Sequence, residues 1–510
     1  MHETALSLTE APLTLADVES VARRNRAVSL SPTAMRAVEA ARKVVDSCAA
    51  GSAAIYGVNT GFGSLSRQRI APDGIREVQR NLLRSHAAGV GEPLPEEVVR
   101  AMLLILAASL ARGRSGVRTE TINAILALLN KRITPIVPSR GSVGASGDLA
   151  PLAHAALVLI GEGNATLDGS TVSGGDALRK AGLQPLTLDA KEGLALINGT
   201  HLMAAIGSLA LCDIARLRSA ALCAAAMAID ACRGTDRPLD PRIHQARAQQ
   251  GQIAVAAKLQ ALLEGSEIVK AHQENDPRVQ DPYCLRAAPQ VLGAAFDALD
   301  HVEAVFQREL GAVTDNPLVF ADRGGHPESS IISGANFHGM PLAIALDIMP
   351  IALCHIAGIA ERRVNWLLTA SDSENPVNVY LSPQPGLHSG LMIAQYTAAA
   401  CCNELQTLAS PASVGNIPTS AGIEDYNSMG ATAAHQARAA VDLARNVVAI
   451  ELLVMAEAME YQRPLRSGAG VERAYAAIRE VVPRLTEDRP PSPDINAICN
   501  LIRSGAFVAP

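Results

Sequence analysis

The chain has 510 residues, 48% of them hydrophobic, 18% charged and 3% aromatic, with a formal net charge of -6. This is the profile of a folded globular protein, and it excludes a disordered or fibrous chain. A mildly acidic chain offers no basic field to nucleic acid or to an anionic membrane surface, so neither is an expected partner.

At the N-terminus, Met1–Pro12 carries Glu3 and Glu10 and lacks the basic and apolar regions of a secretory leader. Short helices are predicted over Thr33–Cys48, Ile75–Ala88, Glu96–Ala111 and Arg118–Asn130, separated by glycine-rich loops of the kind that carry function. Beyond Asn198, apolar residues recur at helical spacing over His201–Ala231, Cys284–Gly311, Ala335–Ala370, His388–Leu408 and Tyr426–Tyr461. Most of these helices are apolar on more than one face, so other helices or neighbouring subunits must cover them. The predicted fold is mainly α: a loop-rich N-terminal region (1–200), a long-helix bundle (201–465) and a C-terminal region (466–510), together one unit over 1–510. Apolar runs such as Met349–Ala360 are interrupted by His355 and fall short of the ~18 residues that span a bilayer. The proline-rich Asp488–Pro491 should open a short C-terminal tail. Nine cysteines without a C-x-x-C pair do not suit a disulfide framework; they read as small core residues of a cytoplasmic protein.

The chemistry concentrates in Gly141-Ser142-Val143-Gly144-Ala145-Ser146-Gly147-Asp148, which runs on through Leu149-Ala150-Pro151-Leu152-Ala153-His154. A P-loop would need lysine after its second glycine, and Asp148 stands where the last glycine of a G-x-S-x-G elbow belongs. One reading is a flexible loop before a helix, with Ser146 or Asp148 capping it and Pro151 in its first turn. A second is internal cyclisation, in which the unhindered Gly147 nitrogen attacks the Ala145 carbonyl and Ser146 loses water. The product would be a methylidene-imidazolone, an electrophile that the ordinary side chains do not provide.

The whole run strongly resembles the signature of the histidine and aromatic amino-acid ammonia-lyase family. Further stretches are similar in order and spacing: Tyr56–Gly63, Asn81–Gly91, Asn198-Gly199-Thr200, Val279–Arg286, Thr314–Leu318, Ser333–His338 and Ser420–Met429. The resemblance implies a helical homotetramer whose active sites combine loops of more than one subunit, with no external cofactor and no metal. It also implies elimination of ammonia from an aromatic amino acid by a ring formed autocatalytically from Ala145, Ser146 and Gly147.

By the same resemblance, Tyr56 is the base at the substrate β-carbon, and its phenol must be perturbed from its ordinary pKa of about 10 to serve near neutrality. Arg286 would hold the substrate carboxylate through its planar fork, with Asn198, Gln280 and Tyr283 as polar lining. Asn316, Phe337 and Glu424 match positions around the ring or the substrate. Ser85-His86 and Glu424 are similar to histidine-type members, which points to L-histidine, with urocanate as product in the first step of histidine degradation; tyrosine, phenylalanine and aminomutase chemistry are the alternatives. Ile423-Glu424-Asp425-Tyr426 departs from the usual Gln-Glu-Asp-His, and His272–Arg278 also differs from the pattern. The S-S-x-M-P-x-K-x-N loop of fumarase-type lyases is absent, and a non-catalytic scaffold has no use for these residues together. His2-Glu3 lacks the second histidine of H-E-x-x-H, and His154, His201, His338 and His435 read as hydrogen-bonding residues behind the site or in the core.

Overall fold

Polar caps and apolar stripes set the helices where the sequence places them. Ser31 accepts from Ala34 N and Pro32 opens the helix Pro32–Ala50. Thr14 and Asp17 form a reciprocal capping box on Leu15–Arg24. Glu96–Ala111 is buried along nearly its whole length, as an all-round apolar helix must be. The computed structural model describes residues 4–61, 68–274, 276–321 and 327–509. His2-Glu3, Phe62-Gly63 of the first motif, and Asn275 of the divergent stretch lie outside them.

The described fold is mainly helical, with short strands in pairs or threes. It divides into two compact units, one of residues 1–209, 303–346 and 411–435, the other of 210–302, 347–410 and 436–510. The first unit carries the glycine-rich loops and the helices up to Ile197, together with the hairpin Asn164–Leu167/Ser170–Ser173. In the second, Arg363 and Glu451 form a buried pair at 2.5 Å, and Asp230 accepts from Ser266 and Ser467. All nine cysteines are free thiols; Cys48, Cys223, Cys232 and Cys499 are buried and the other five partly exposed.

Five expectations are corrected. Ala335–Gly339 and Tyr426–Met429 are not helical: the helices start at Met340 and Gly430. Their backbones are drawn to the glycine loop instead, Gly339 N to Gly144 O at 3.3 Å and Met429 N to Val143 O at 2.9 Å. Cys284–Gly311 is broken at Ala287 into Tyr283–Arg286 and Ala288–Glu309. The C-terminal segment is a 14-residue helix, Pro491–Ser504, closed by left-handed Gly505, and not a tail. Finally, the apolar run about Met349 belongs to Met340–Leu368, one helix among the described residues long and apolar enough to cross a membrane, though most of it is buried within the protein.

Candidate active site

Glycine geometry fixes the loop Gly141–Gly147. Gly144 and Gly147 are left-handed (φ 67° and 77°), a region that favours glycine. A Cβ at 147 would lie 2.2 Å from the Gly199 carbonyl oxygen, so only glycine allows the bridge between Gly147 and Gly199. Asp148 does not cap the helix Leu149–Leu159 that follows it. Its fully buried carboxylate reaches the N-terminus of His201–Ala231 instead, accepting from Leu202 N at 2.9 Å and Met203 N at 3.1 Å, and from Ser142 Oγ at 2.8 Å. Burial pushes this carboxyl up to about 6, against the pull of those three donors. Ala145 and Gly147 are buried, and of the three only Ser146 lines the cavity beside the loop.

That cavity, about 940 Å³, lies wholly within the first unit. Its walls include Tyr56, His86, Ser146, Asn198, Asn316, Phe337 and Glu424, so seven of the predicted site residues meet there. Ser146 Oγ donates to Glu424 Oε1 at 2.9 Å, and Thr419 Oγ1 donates to Glu424 Oε2 at 3.0 Å. Thr419 also pairs with Glu424 along the backbone, which fixes the acid's direction. The amide side chains of Asn416 and Asn427 cross the base of this loop to Asp425 O and Ile417 O. His86 ends the helix Ile75–His86, with Nδ1 at 2.9 Å from Leu82 O. A carbonyl only accepts, so Nδ1 carries the proton and Nε2 is the ring's acceptor. Burial lowers the His86 pKa, with Leu82 O and the Glu424 charge opposing, which favours the neutral ring.

Tyr56 sits on a turn that Asn59 closes: Asn59 Oδ1 accepts from Ile55 N at 2.8 Å and Nδ2 donates to Ala53 O at 2.9 Å. Val58 roots the turn in a cluster with Ala41, Val45 and Val319. Asn198 follows the helix Glu192–Ile197, whose first amides are met by Gln79 Oε1, 2.8 Å from Gly193 N. Asn198 Nδ2 donates to Asn316 O at 3.1 Å, while its buried Oδ1 has no partner among the described residues. Asn316 Oδ1 in turn accepts from Gly334 N at 2.7 Å.

Gln280, Tyr283 and Arg286 are not among the cavity's lining residues. They belong to the second unit, on and before the short helix Tyr283–Arg286. Tyr283 is 73% exposed, and the Arg286 guanidinium stacks 4.7 Å from its ring centroid. Arg278 braces this segment through Asp276 and through Asp372 at 2.9 Å. Among the histidines, His154 accepts from Gly89 N, His338 bonds Tyr426 O and His435 bonds Ser139 O. His201 is the exception: neither buried ring nitrogen has a partner among the described residues, and burial pushes its pKa down to about 3.

Sequence reasoning missed Leu82, Thr419 and the buried pair Lys191–Asp315. Leu82 stands four residues before His86, on the same helix face, and that spacing could have found it. Thr419 and Lys191 act through partners distant in the chain or in a loop, and no periodicity marks them. Ile423, Asp425 and Tyr426 line the cavity, so the divergent stretch is part of its wall. No group of His, Cys, Asp or Glu among the described residues is placed to hold a metal.

The described geometry has close counterparts. The model of the aromatic amino acid lyase family matches residues 13–480. The chain is 50% identical to a histidine ammonia-lyase of Sorangium cellulosum over 501 residues, 98% of this chain and 97% of that one. It superposes on the crystal structure of histidine ammonia-lyase from Trypanosoma cruzi with a TM-score of 0.91 at 37% identity, covering 99% of this chain and 94% of that one. The tyrosine aminomutase of Streptomyces globisporus gives a TM-score of 0.92 at 35% identity, covering 99% and 98%.

Proposed function

Because the chain belongs to the aromatic amino acid lyase family, we propose that it eliminates ammonia from L-histidine to give urocanate, the first step of histidine degradation. One observation carries the choice of substrate: neutral His86 and the Glu424 carboxylate share a cavity with Ser146, so two acceptors stand where an imidazole N–H can be met.

The loop fits a methylidene-imidazolone made from Ala145, Ser146 and Gly147. Residues 145 and 147 are small and buried, the serine side chain faces the cavity, and the orphaned Asn198 Oδ1 lies in the same wall. That group supplies an electrophile that the side chains lack. The other steps fall to side chains. Tyr56 takes the proton from the substrate β-carbon, while Asn198 and Asn316 orient the polar end of the substrate. Phe337 packs on its ring, and Glu424 and His86 fix the imidazole. Gln280, Tyr283 and Arg286 serve the cavity of a neighbouring subunit, where the exposed Tyr283 and the half-buried Arg286 stacked on it bind the carboxylate. The whole chain thus works as one catalytic unit in a homotetramer, and its free thiols suit the cytoplasm.

Ile423 and Tyr426 in the wall favour a second reading, an aryl lyase or aminomutase. Ammonia release from L-histidine, L-tyrosine and L-phenylalanine in parallel, with the conjugated acrylate followed by ultraviolet absorbance, separates the two. Turnover of histidine alone supports the first, and turnover of tyrosine or phenylalanine replaces it with the second.

A further inference from the structure

Lys191 and Asp315 form an ion pair with Nζ and Oδ2 2.6 Å apart, at 1% and 2% side-chain exposure. Neither residue lines the cavity, yet Asp315 is one hydrogen bond from Asn316, which does, and Lys191 lies directly before the helix that supplies Leu194 and Ile197 to the wall. Lys191 is left-handed (φ 72°), an uncommon conformation for a residue with a Cβ, and it immediately precedes the helix that carries Leu194 and Ile197 and that Asn198 follows. Asp315 accepts from Asn316 N at 2.7 Å through its other oxygen. Asn316 O then receives Asn198 Nδ2. The aliphatic stem of Lys191 also lies under the Tyr56 turn: a Cβ at Gly57 would stand 3.5 Å from Lys191 Cδ and 3.3 Å from Pro317 Cδ. Three cavity walls, at Tyr56, Asn198 and Asn316, thus converge on one buried salt bridge.

Burying two charges is expensive, and apolar residues of similar size usually hold such a junction as well or better. An ion pair adds direction, because its two ends fix the backbones they belong to. Burial presses the Lys191 ammonium toward the neutral form, and the facing Asp315 carboxylate opposes this. We infer that Lys191 and Asp315 are positioning residues of the reaction, setting the relative placement of Tyr56, Asn198 and Asn316 without touching the substrate. The inference rests on the ammonia-lyase reading above for its kinetic test, but not for its structural one.

The double variant Lys191→Met/Asp315→Asn removes both charges, keeps the stem beneath Gly57 and keeps an oxygen for Asn316 N. With histidine, kcat should fall by about 10–10²-fold, the cost of a misplacement near 1 Å, while KM changes by less than about threefold. In its crystal structure the Asn198 Nδ2–Asn316 O contact should open beyond about 3.5 Å. Should the double variant fail to melt cooperatively, Asp315→Asn alone is read in the same way. A merely structural role would lower the melting temperature and leave kcat intact, and that result overturns the inference. An unmoved Asn198–Asn316 hydrogen bond overturns it whatever the substrate. Absence of turnover by the unmodified protein would instead count against the lyase reading, and the crystal structure would still decide the role of the pair.

Discussion

The Ser146 hydroxyl and the Glu424 carboxylate, 278 residues apart in sequence, are joined by a 2.9 Å hydrogen bond across the cavity. Thr419 occupies the second carboxylate oxygen. If, as proposed, Ser146 loses its hydroxyl on ring closure, Glu424 Oε1 would lose a donor that an imidazole N–H could restore. The same acid can therefore hold the precursor side chain first and the substrate later.

Glu424→Gln keeps the shape and an acceptor but not the charge. We expect kcat/KM for histidine to fall by about 10–10²-fold, the worth of one charge-assisted hydrogen bond, with the ring mass unchanged. Initial rates of acrylate formation measure this. An unchanged kcat/KM would remove Glu424 from imidazole recognition.

Ser146→Ala has no hydroxyl to lose. The denatured parent protein should weigh about two waters less than its sequence, and the variant should retain at least one of them. Its turnover should drop by about 10³-fold or more, with its circular dichroism preserved. A variant of full activity would end the claim that residue 146 contributes to the electrophile.

What could be read from sequence follows from how local each cause is. Glu96–Ala111 and His201–Ala231 appear at their predicted bounds because helical periodicity is a property of neighbouring residues. Asp148 could not be read so. Its place before an apolar run suggests a cap on its own helix, whereas its partners are the amides of Leu202 and Met203. Tyr426–Met429 carry a helical pattern but are held to the glycine loop by Ser428 and Met429. The cavity residues came from motif likeness, which gives identity without position: it groups Arg286 with Asn198 in one site but does not tell that the two belong to different units of the chain.

That separation gives a direct test of shared sites. If Arg286 serves a neighbour's cavity, Arg286→Ala and Ser146→Ala chains should each be nearly inactive alone. Co-expressed and assembled together, they should regain part of the unmodified activity, because some cavities then combine an intact ring loop with an intact arginine. Size-exclusion chromatography with light scattering establishes that mixed oligomers form. Mixed oligomers without recovered activity would place both residues in the cavity of one chain.

The last expectation concerns pH. The Asp148 carboxyl is pushed up to about 6 in the fold, above the value near 3.9 expected when the chain unfolds. Between those values the native state binds more protons than the unfolded one, so stability falls as pH rises. The stabilisation is fully present below about pH 4 and is lost as pH passes about 6, a loss of at most about 3 kcal/mol. Asp230, also pushed to about 6, adds a term of the same sign from the second unit. Asp276 and Asp240, held down at about 2 by Arg278 and Arg242, act below this window. In Asp148→Asn the amide oxygen still accepts from Leu202 and Met203, and Ser142 turns its hydroxyl to Gly147 O, already 3.3 Å away. Relative to the parent protein, the melting temperature of the variant should therefore gain as pH rises from about 4 to 7, because the Asp148 term is removed while the Asp230 term and the His201 term of opposite sign are common to both. Equal slopes would mean that Asp148 stays ionised throughout, its charge held by the helix N-terminus.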